Sequence, residues 1–377
     1  MKITKIETFV YWINWCNWLF VKVSTDEGLY GWGEGSLHGA IRSVETAIHE
    51  LSAYLIGQDP AGVERHWQAM YQAWRWRGGP TLFTALGALD IALWDIEGKR
   101  LGVPVYRLLG GPFRPRLRVY ASHWLAGVQT PEQAHAGAQE AIRRGFGGFK
   151  WGPFNRERLR DNEAREIARA TDLMAAARDG AGEYTEIFVE CAELLSPRSA
   201  VIAAKAFAPY RPGWFEEPIP FENAKAMIAL QRELPVPIAT GERLLSRWEY
   251  RELIEGGGCK IVQPDVMHAA GITEMRKIAV MADTYYIPVA PHNPGGPICN
   301  LAAMHVAAAI SNFFILEQME QERELRDALC TNPVQYADGH FELPTAPGLG
   351  TDLNLEVLKA HAFQPQPMAG SSESLWR

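Results

Sequence analysis

A repeating pattern of short apolar runs and longer helical runs occupies most of this chain after residue 115. Each cycle starts with a β-branched or aromatic run, passes through a loop and ends in roughly 12–18 residues of helical periodicity. Strands joined by helices pack as a parallel sheet, and eight of them close into a barrel. The sequence therefore predicts a parallel α/β barrel. Its strands are predicted at 119–121, 148–151, 187–190, 213–216, 238–242, 261–265, 287–292 and 313–317.

A doubly wound open sheet is the alternative reading of the same pattern. Such sheets bind dinucleotides through a glycine-rich loop after the first strand. The strongest candidate, at residues 145–147, lacks the third glycine of that motif. The barrel is therefore favoured over the open sheet.

The first 110 residues have a different character. Apolar alternation predicts strands near residues 3–9, 18–23 and 29–34, and a turn at 26–28 joins the last two. Helical periodicity follows over residues 41–55, 60–77 and 81–101. These segments predict an α+β capping domain. The predicted boundaries are 1–115 for the cap and 116–334 for the barrel, with residues 335–377 packing back on the cap.

Composition excludes several classes of protein. Apolar residues make up 47% of the chain, so long disorder is excluded. The formal charge is −7 and no basic run is present, so we expect neither nucleic acid nor a membrane surface as a partner. Five separated cysteines without a CxxC pair favour a reduced chain. With a charged start and no apolar stretch of membrane-spanning length, the sequence predicts a cytoplasmic protein.

Three glutamates end consecutive predicted barrel strands. Glu190, Glu216 and Glu242 are separated by 26 residues in both steps, which is one strand–helix unit each. Strand ends of a parallel barrel meet at one mouth, so these carboxylates converge there. Close carboxylates repel unless a cation lies between them, and an all-oxygen site without His or Cys favours magnesium. The alternative is that each glutamate caps a helix or pairs with an arginine at the rim.

The next two strands also end in residues that carry chemistry. Asp265 and His292 would be neighbours, and a carboxylate beside an imidazole fixes its tautomer and raises its basicity. A satisfied core histidine is the alternative. Glu317 ends the last strand, where a protonated carboxyl would donate to a developing oxyanion and an ionised one would pair with Lys150 across the mouth.

The motifs around these residues resemble a known family. Phe-Glu-Glu-Pro at 215–218, Thr-Gly-Glu-Arg at 240–243, Gln-Pro-Asp at 263–265 and Pro-His-Asn-Pro-Gly-Gly-Pro at 291–297 resemble the mandelate racemase branch of the enolase superfamily. In the cap, Gly-Trp-Gly-Glu at 31–34, Arg-Gly-Gly-Pro at 77–80 and Ala-Leu-Trp-Asp-Ile at 92–96 resemble the galactonate dehydratase group of that branch.

The resemblance implies a (β/α)7β modified TIM barrel with an N-terminal α+β capping domain. It implies one Mg²⁺ per subunit on the three glutamates, and an Asp265–His292 pair that removes the proton α to a substrate carboxylate. Lys150 matches the first lysine of the family's Lys-x-Lys motif. The implied activity is that of an acid-sugar dehydratase, a lyase that releases a 2-keto-3-deoxy acid. The implied partners are a small sugar acid and further copies of this chain in a homo-oligomer.

Two positions depart from the family pattern. Gly152 stands where the second lysine of Lys-x-Lys would fall, so a base on that face is missing. Ala192 stands where galactonate dehydratases carry the histidine that protonates the leaving hydroxide. Glu193 and His123 are the candidates to replace that acid, and either is equally a rim residue without such a role. A one-base epimerase or cycloisomerase on a sugar acid or lactone, and a non-catalytic metal-binding homologue, therefore stay open.

An aromatic segment near the N-terminus supplies candidate substrate contacts. Trp12 and Trp15 lie where the family has a loop over the barrel mouth, so they are predicted to wall the substrate pocket. A cap core or subunit interface rich in aromatics is the alternative. Arg77 is predicted either to reach the far hydroxyls of the substrate or to anchor the cap. Motif spacing does not encode which sugar is recognised.

Overall fold

The computed structural model describes residues 1–366. The chain begins with a three-stranded antiparallel sheet in the order β1-β2-β3. Four helices complete this cap, and Ile41, Val44, Ile48, Leu51 and Leu55 of the first helix are buried because their spacing places them on one face. The elements are β1 Ile3–Trp12, β2 Asn17–Thr25, β3 Tyr30–Glu34, α1 Ile41–Leu55, α2 Val63–Ala73, α3 Pro80–Leu101 and α4 Val105–Leu108.

Strands and helices alternate over residues 116–283. The strands and helices up to the fifth barrel strand are β4 Arg116–Ala121, α5 Pro131–Arg143, β5 Gly148–Trp151, α6 Arg156–Ala181, β6 Glu186–Glu190, α7 Pro197–Phe207, β7 Trp214–Glu216, α8 Ala224–Glu233 and β8 Ile238–Thr240. The remaining elements are α9 Arg247–Glu255, β9 Ile261–Val262, α10 Ile272–Asp283, α11 Pro297–Ala309, β10 Leu316–Gln318, α12 Arg323–Leu329, β11 Tyr336–Ala337, β12 His340–Glu342 and α13 Leu355–Ala360. Short 3-10 helices occupy Ala208–Tyr210 and Glu320–Glu322.

Parallel pairing joins β4 to β9 in chain order, and β10 pairs in parallel with β4. The sheet therefore closes on itself, which confirms the predicted barrel and excludes the open sheet. Residues 287–292, which are predicted as the seventh strand, form no continuous strand. Single bridges join Val289 to Val262 and Phe313, and join His292 to Asp265. Pro288 and Pro291 lack the N–H groups that a ladder would need.

The C-terminal residues contact both parts of the molecule. Residues 336–342, which the sequence assigns to the tail on the cap, instead form a hairpin whose second strand pairs with β4. Further along, Gly348 accepts from the N–H of Val105, and the N–H of Leu349 donates to Asp95 in α3. The C-terminal segment up to residue 366 thus contacts first the barrel and then the cap. Residues 367–377 lie outside the described part of the chain.

No helix within residues 1–366 combines the length and the apolar character that crossing a membrane would require.

Helix α3 of the cap packs closely on the loop that follows β9. A methyl group at Gly87 would overlap the carbonyl oxygen of Met267, so the helix and the loop backbone are in direct contact. Asp90, one turn later, accepts from the N–H of Thr273 at 3.0 Å and from its hydroxyl at 2.6 Å. Burial raises the pKa of Asp90 to about 7, although both Thr273 donors oppose that shift.

This buried carboxyl predicts a pH effect on stability. Between its ordinary range and pH 7, the folded protein keeps a proton on Asp90 that the unfolded chain releases, so stability falls as pH rises. Asp90→Asn removes this loss. We expect the free energy of unfolding of the variant, relative to wild type, to increase by roughly 1 kcal/mol per pH unit from pH 5 to 7 and then to level off.

Urea unfolding at pH 5, 6, 7 and 8 measures this difference. Asp172→Asn makes the same substitution on the exposed side of α6 and is the matched control. Equal pH dependence for Asp90→Asn and wild type would show that Asp90 does not titrate in this window.

Candidate active site

Three carboxylates converge at the mouth of the barrel. Glu190 ends β6 and Glu216 ends β7, and the two are register partners on adjacent parallel strands. Glu242 follows the end of β8 by two residues. One carboxylate oxygen from each of the three lies within 4.8 Å of the others. The convergence follows from topology, because parallel neighbours end at the same edge of the sheet.

Lys150 of β5 is the cation next to this cluster. Its Nζ donates to Oε1 of Glu216 and lies 3.0 Å from Oε1 of Glu317 and 3.7 Å from Oε2 of Glu190. Burial disfavours the ammonium, but the Glu216 and Glu317 carboxylates outweigh it and hold the pKa of Lys150 well above its usual range. Burial and the Glu216 carboxylate raise the pKa of Glu190 well above its usual range. Lys150 pairs with three carboxylates at once, so its single positive charge does not neutralise them.

The three carboxylates can be compared with the ligands that a divalent cation requires. Glu190, Glu216 and Glu242 offer oxygen donors only, which Mg²⁺ prefers, and the group has no His or Cys that would favour zinc. A cation among the carboxylates would also remove the repulsion that raises the pKa of Glu190. The donor set fits a divalent ion of the magnesium type.

The base candidate lies next to the Glu242 side of the cluster. Nδ1 of His292 is 2.9 Å from Oδ2 of Asp265, and Nε2 of His292 is 3.4 Å from Oε2 of Glu242. The N–H groups of Met267 and His268 donate to Oδ1 of Asp265 at 2.8 and 3.2 Å, so the carboxylate is fixed in place. Burial opposes protonation of His292, but Glu242 and Asp265 outweigh it and raise its pKa to about 9.

Glu317 of β10 lies between the lysine and the histidine sides of the mouth. It accepts from the Ser122 hydroxyl at 2.5 Å and from the N–H of Asn293 at 2.7 Å, in addition to its ion pair with Lys150. Burial favours its neutral form, but Lys150 and His292 hold the pKa of Glu317 far below its usual range. Glu317 is therefore ionised, and the ion-pair alternative describes it rather than the protonated donor.

Arg243 is a residue of this site that sequence reasoning missed. Its guanidinium lies 2.6 Å from Glu242, 3.3 Å from Glu217 and 3.5 Å from Glu193. Its position directly after Glu242 in the Thr-Gly-Glu-Arg motif was the available signal. Glu217 itself turns away from the carboxylate cluster and accepts from the Thr240 hydroxyl and the Gly241 N–H.

A cavity of about 690 Å³ opens beside the base candidate. It reaches from His292 and Glu242 outward between the loops after β7 and β8 to helix α9 and the cap. His268 lines the same cavity and was also missed by sequence reasoning, although it lies only three residues after Asp265. The lining residues are Leu37, Pro80, Phe221, Glu222, Ala224, Glu242, Arg243, Leu244, Leu245, Glu249, Glu252, His268 and His292.

The two candidates for the missing acid have different surroundings. Glu193 accepts from the N–H of Phe221 at 3.1 Å and pairs with Arg243, so it is held at the rim. His123 lies on the Lys150 side of the mouth, where its Nδ1 is 3.0 Å from the Ser122 hydroxyl. Burial and the Lys150 charge lower the pKa of His123. The contacts of Glu193 and His123 do not identify either residue as the acid, so that assignment stays a prediction.

The predicted aromatic and arginine contacts lie outside the cavity lining. Nε1 of Trp15 donates to Glu322 at 3.2 Å, and its indole meets His38 edge to face. Trp12 is the last residue of β1, and its backbone N–H donates to the carbonyl of His361. Arg77 lies over the Tyr71 ring within the cap, at 5.4 Å. The structure thus brings together the carboxylates, Lys150, Glu317 and the Asp265–His292 pair, but not these three.

Comparison with known proteins supports the same reading of the chain. Residues 133–357 match the enolase C-terminal domain-like family, and residues 12–110 match the mandelate racemase / muconate lactonizing enzyme N-terminal domain. A D-galactonate dehydratase of Pectobacterium atrosepticum is 40% identical over 95% of this chain and 94% of its own. A D-galactonate dehydratase of Ralstonia pickettii is also 40% identical, over 94% and 92%.

Among solved structures, an enolase of Agrobacterium radiobacter with bound sodium and L-malate is 30% identical. It covers 96% of this chain and 95% of its own, with a TM-score of 0.89. Both domains and nearly the full length are thereby accounted for. The chain belongs to the mandelate racemase / muconate lactonizing enzyme branch of the enolase superfamily and is galactonate dehydratase-like.

Proposed function

We propose that this protein is a hydro-lyase that dehydrates a sugar acid to a 2-keto-3-deoxy acid, with Mg²⁺ as its metal. One observation carries the proposal: a cluster of three carboxylates and an Asp–His pair meet at one barrel mouth, where Nε2 of His292 lies 3.4 Å from Glu242. The similarity to D-galactonate dehydratases over nearly the full length supports the same reaction. Homo-oligomerisation and a cytoplasmic location stay predictions.

Glu190, Glu216 and Glu242 are the residues that would hold the metal. When bound, Mg²⁺ supplies positive charge that stabilises a developing enediolate. Lys150 and Glu317 lie beside this cluster, and the Lys150 ammonium is fixed by three carboxylates. An ammonium held in place before the reaction stabilises new negative charge on a substrate carboxylate without reorganising.

His292 is proposed as the base that removes the proton α to that carboxylate. Its Nδ1 faces Asp265, so the other ring nitrogen, Nε2, is the one that would accept the proton. Nε2 lies 3.4 Å from Oε2 of Glu242, whose negative charge a bound metal would offset. Asp265 keeps the imidazole in this tautomer and stabilises the imidazolium that forms. Gly152 carries no side chain on the Lys150 side, so proton removal and return from two faces has no second base there.

Loss of the β-hydroxyl then completes the dehydration. The enediolate electrons form the C2–C3 double bond as the C3–O bond breaks, and the departing hydroxide takes up the equivalent of the proton removed from C2 and leaves as water. The enol product then gains a proton at C3 and loses its O–H proton, which gives a 2-keto-3-deoxy acid. A cavity of about 690 Å³ next to His292 is large enough for a six-carbon sugar acid. Glu222, Glu249 and Glu252 line its outer part, which suits a hydroxylated chain.

The experiment is a screen of the purified chain with Mg²⁺ and a panel of aldonic and aldaric acids. Formation of a 2-keto acid is measured colorimetrically, and α-hydrogen exchange is followed by NMR in D₂O. Dehydration of at least one acid, abolished by EDTA and restored by Mg²⁺, is the expected result. Exchange without 2-keto acid would indicate an epimerase or cycloisomerase, and neither signal with any acid would contradict the proposal.

A further inference from the structure

His268 is a polar side chain in the cavity that the mechanism above does not use. Its Nδ1 lies 2.9 Å from the hydroxyl oxygen of Thr84, which is fully buried in cap helix α3. Among residues 1–366, Nδ1 of His268 is the one acceptor within hydrogen-bond distance of the Thr84 hydroxyl. A buried hydroxyl needs an acceptor, so it donates to Nδ1 and the ring proton lies on Nε2.

Among the residues that the structure describes, 1–366, none offers an acceptor within hydrogen-bond distance of the resulting Nε2–H. The nearest acid oxygen, Oδ2 of Asp265, is 4.0 Å away and already faces Nδ1 of His292 at 2.9 Å. The His268 side chain is 15% exposed, and its exposed part opens into the cavity that His292 also lines. A donor held in this way is available for an oxygen atom of a bound molecule.

The backbone around His268 is fixed by the cap. Nε1 of Trp67 donates to the carbonyl of Ala270 at 2.8 Å, and Gly87 lets helix α3 touch the carbonyl of Met267. The donor therefore keeps its direction without a bound substrate. Burial lowers the pKa of His268 although the Asp265 carboxylate opposes this shift, so the ring stays a neutral N–H donor.

The other nitrogen side chains that line the cavity, Arg243 and His292, both contact carboxylates of the site. Arg243 contacts three carboxylates, and His292 is the proposed base. The third-strand position that could carry a donor for the leaving group is Ala192, which has none. Nε2 of His268 and Nδ1 of His292 lie 4.0 and 2.9 Å from the same oxygen of Asp265, so the two imidazoles are neighbours in the cavity wall and a substrate that reaches His292 also lies near His268.

We propose that His268 donates its Nε2–H to the β-hydroxyl of the sugar acid and holds that group in position to leave. This inference rests on the proposed dehydratase function and adds a specificity-determining contact to it. The contact is a hydrogen bond, so His268 keeps its proton. Thr84 is the corresponding positioning residue, because its hydroxyl fixes which nitrogen of His268 carries the proton.

The test combines substitutions of His268 with removal of the 3-hydroxyl group from the substrate. An aldonic acid that the wild-type protein dehydrates is compared with its 3-deoxy derivative, and kcat/KM for α-hydrogen exchange is measured for both in D₂O with Mg²⁺. His268→Asn removes the donor at the Nε2 position, whereas His268→Gln keeps an amide N–H near it. We expect His268→Asn to shrink the wild-type preference for the 3-hydroxyl compound about tenfold, and His268→Gln to keep most of it.

The same measurement applies to the cap residue. Thr84→Val should reduce the 3-hydroxyl preference as His268→Asn does, and Thr84→Ser should restore it. Thr46→Val, at an exposed position of helix α1, is the control variant. For a 6-deoxy derivative, kcat/KM for exchange relative to the parent acid should not depend on the residue at position 268. Urea unfolding verifies that each variant is folded at the assay temperature.

Two outcomes would overturn the inference. An unchanged 3-hydroxyl preference in His268→Asn would show that no such contact exists. An equal loss of exchange for the parent and the 3-deoxy compound would show that His268 only supports the Asp265–His292 pair. Failure of the proposed function looks different, because the wild-type protein would then neither exchange nor dehydrate any acid of the panel.

Discussion

Replacing His292 with asparagine is expected to lower α-hydrogen exchange of a dehydrated sugar acid by about 10³-fold. The asparagine amide can still donate toward Oδ2 of Asp265, where Nδ1 of His292 now lies at 2.9 Å. It has no atom at the position of Nε2, so the group that accepts the proton is lost. The measurement is loss of the α-hydrogen NMR signal in D₂O with saturating Mg²⁺.

Metal binding and folding provide the necessary controls for His292→Asn. Calorimetric Mg²⁺ affinity should change little, because the three carboxylates remain. His49→Asn, at an exposed position of helix α1, is the matched substitution and should exchange at the wild-type rate. Wild-type exchange in His292→Asn would transfer the base role to Lys150 or to another group at the mouth.

The second large effect is expected for the metal site. Glu216→Gln should weaken Mg²⁺ binding by more than about 100-fold, since losses of 10–100-fold already follow from changing groups that merely support a ligand. Glu216 is fully buried, and its Oε2 accepts from Trp214 and Gln263 at 2.8 Å. The glutamine therefore sits in a fixed pocket but carries no charge. Titration calorimetry at constant ionic strength measures the affinity.

Glu217→Gln is the matched control for this prediction. Glu217 is the next residue and is equally buried, but its carboxylate faces Thr240, Gly241 and Arg243 instead of the cluster. We expect it to retain Mg²⁺ affinity within a few-fold. If Glu216→Gln binds Mg²⁺ as tightly as wild type, Glu216 is not a ligand. If both variants lose binding equally, the loss reflects damage to the strand end instead.

Local patterns sufficed for the parts of the fold that depend on periodicity. The spacing of Ile41, Val44 and Ile48 predicted one buried face of α1, and each is buried. The seventh strand was predicted as a continuous strand over residues 287–292. The structure has single bridges there instead, because Pro288 and Pro291 lack the N–H groups that a continuous ladder needs. Residues 336–342 carried no signal for pairing with β4, which depends on contacts distant in sequence.

By itself the sequence determined which side chains meet at the barrel mouth. A parallel barrel brings every strand end to one edge, so Glu190, Glu216, Asp265 and His292 converge once their strands are counted. Only the tertiary structure decided the ionised state of Glu317, the ion pairs of Arg243 and the Thr84 contact that directs His268. Those features depend on which side chains from distant segments fill the space around each group, and strand spacing carries no information about that packing.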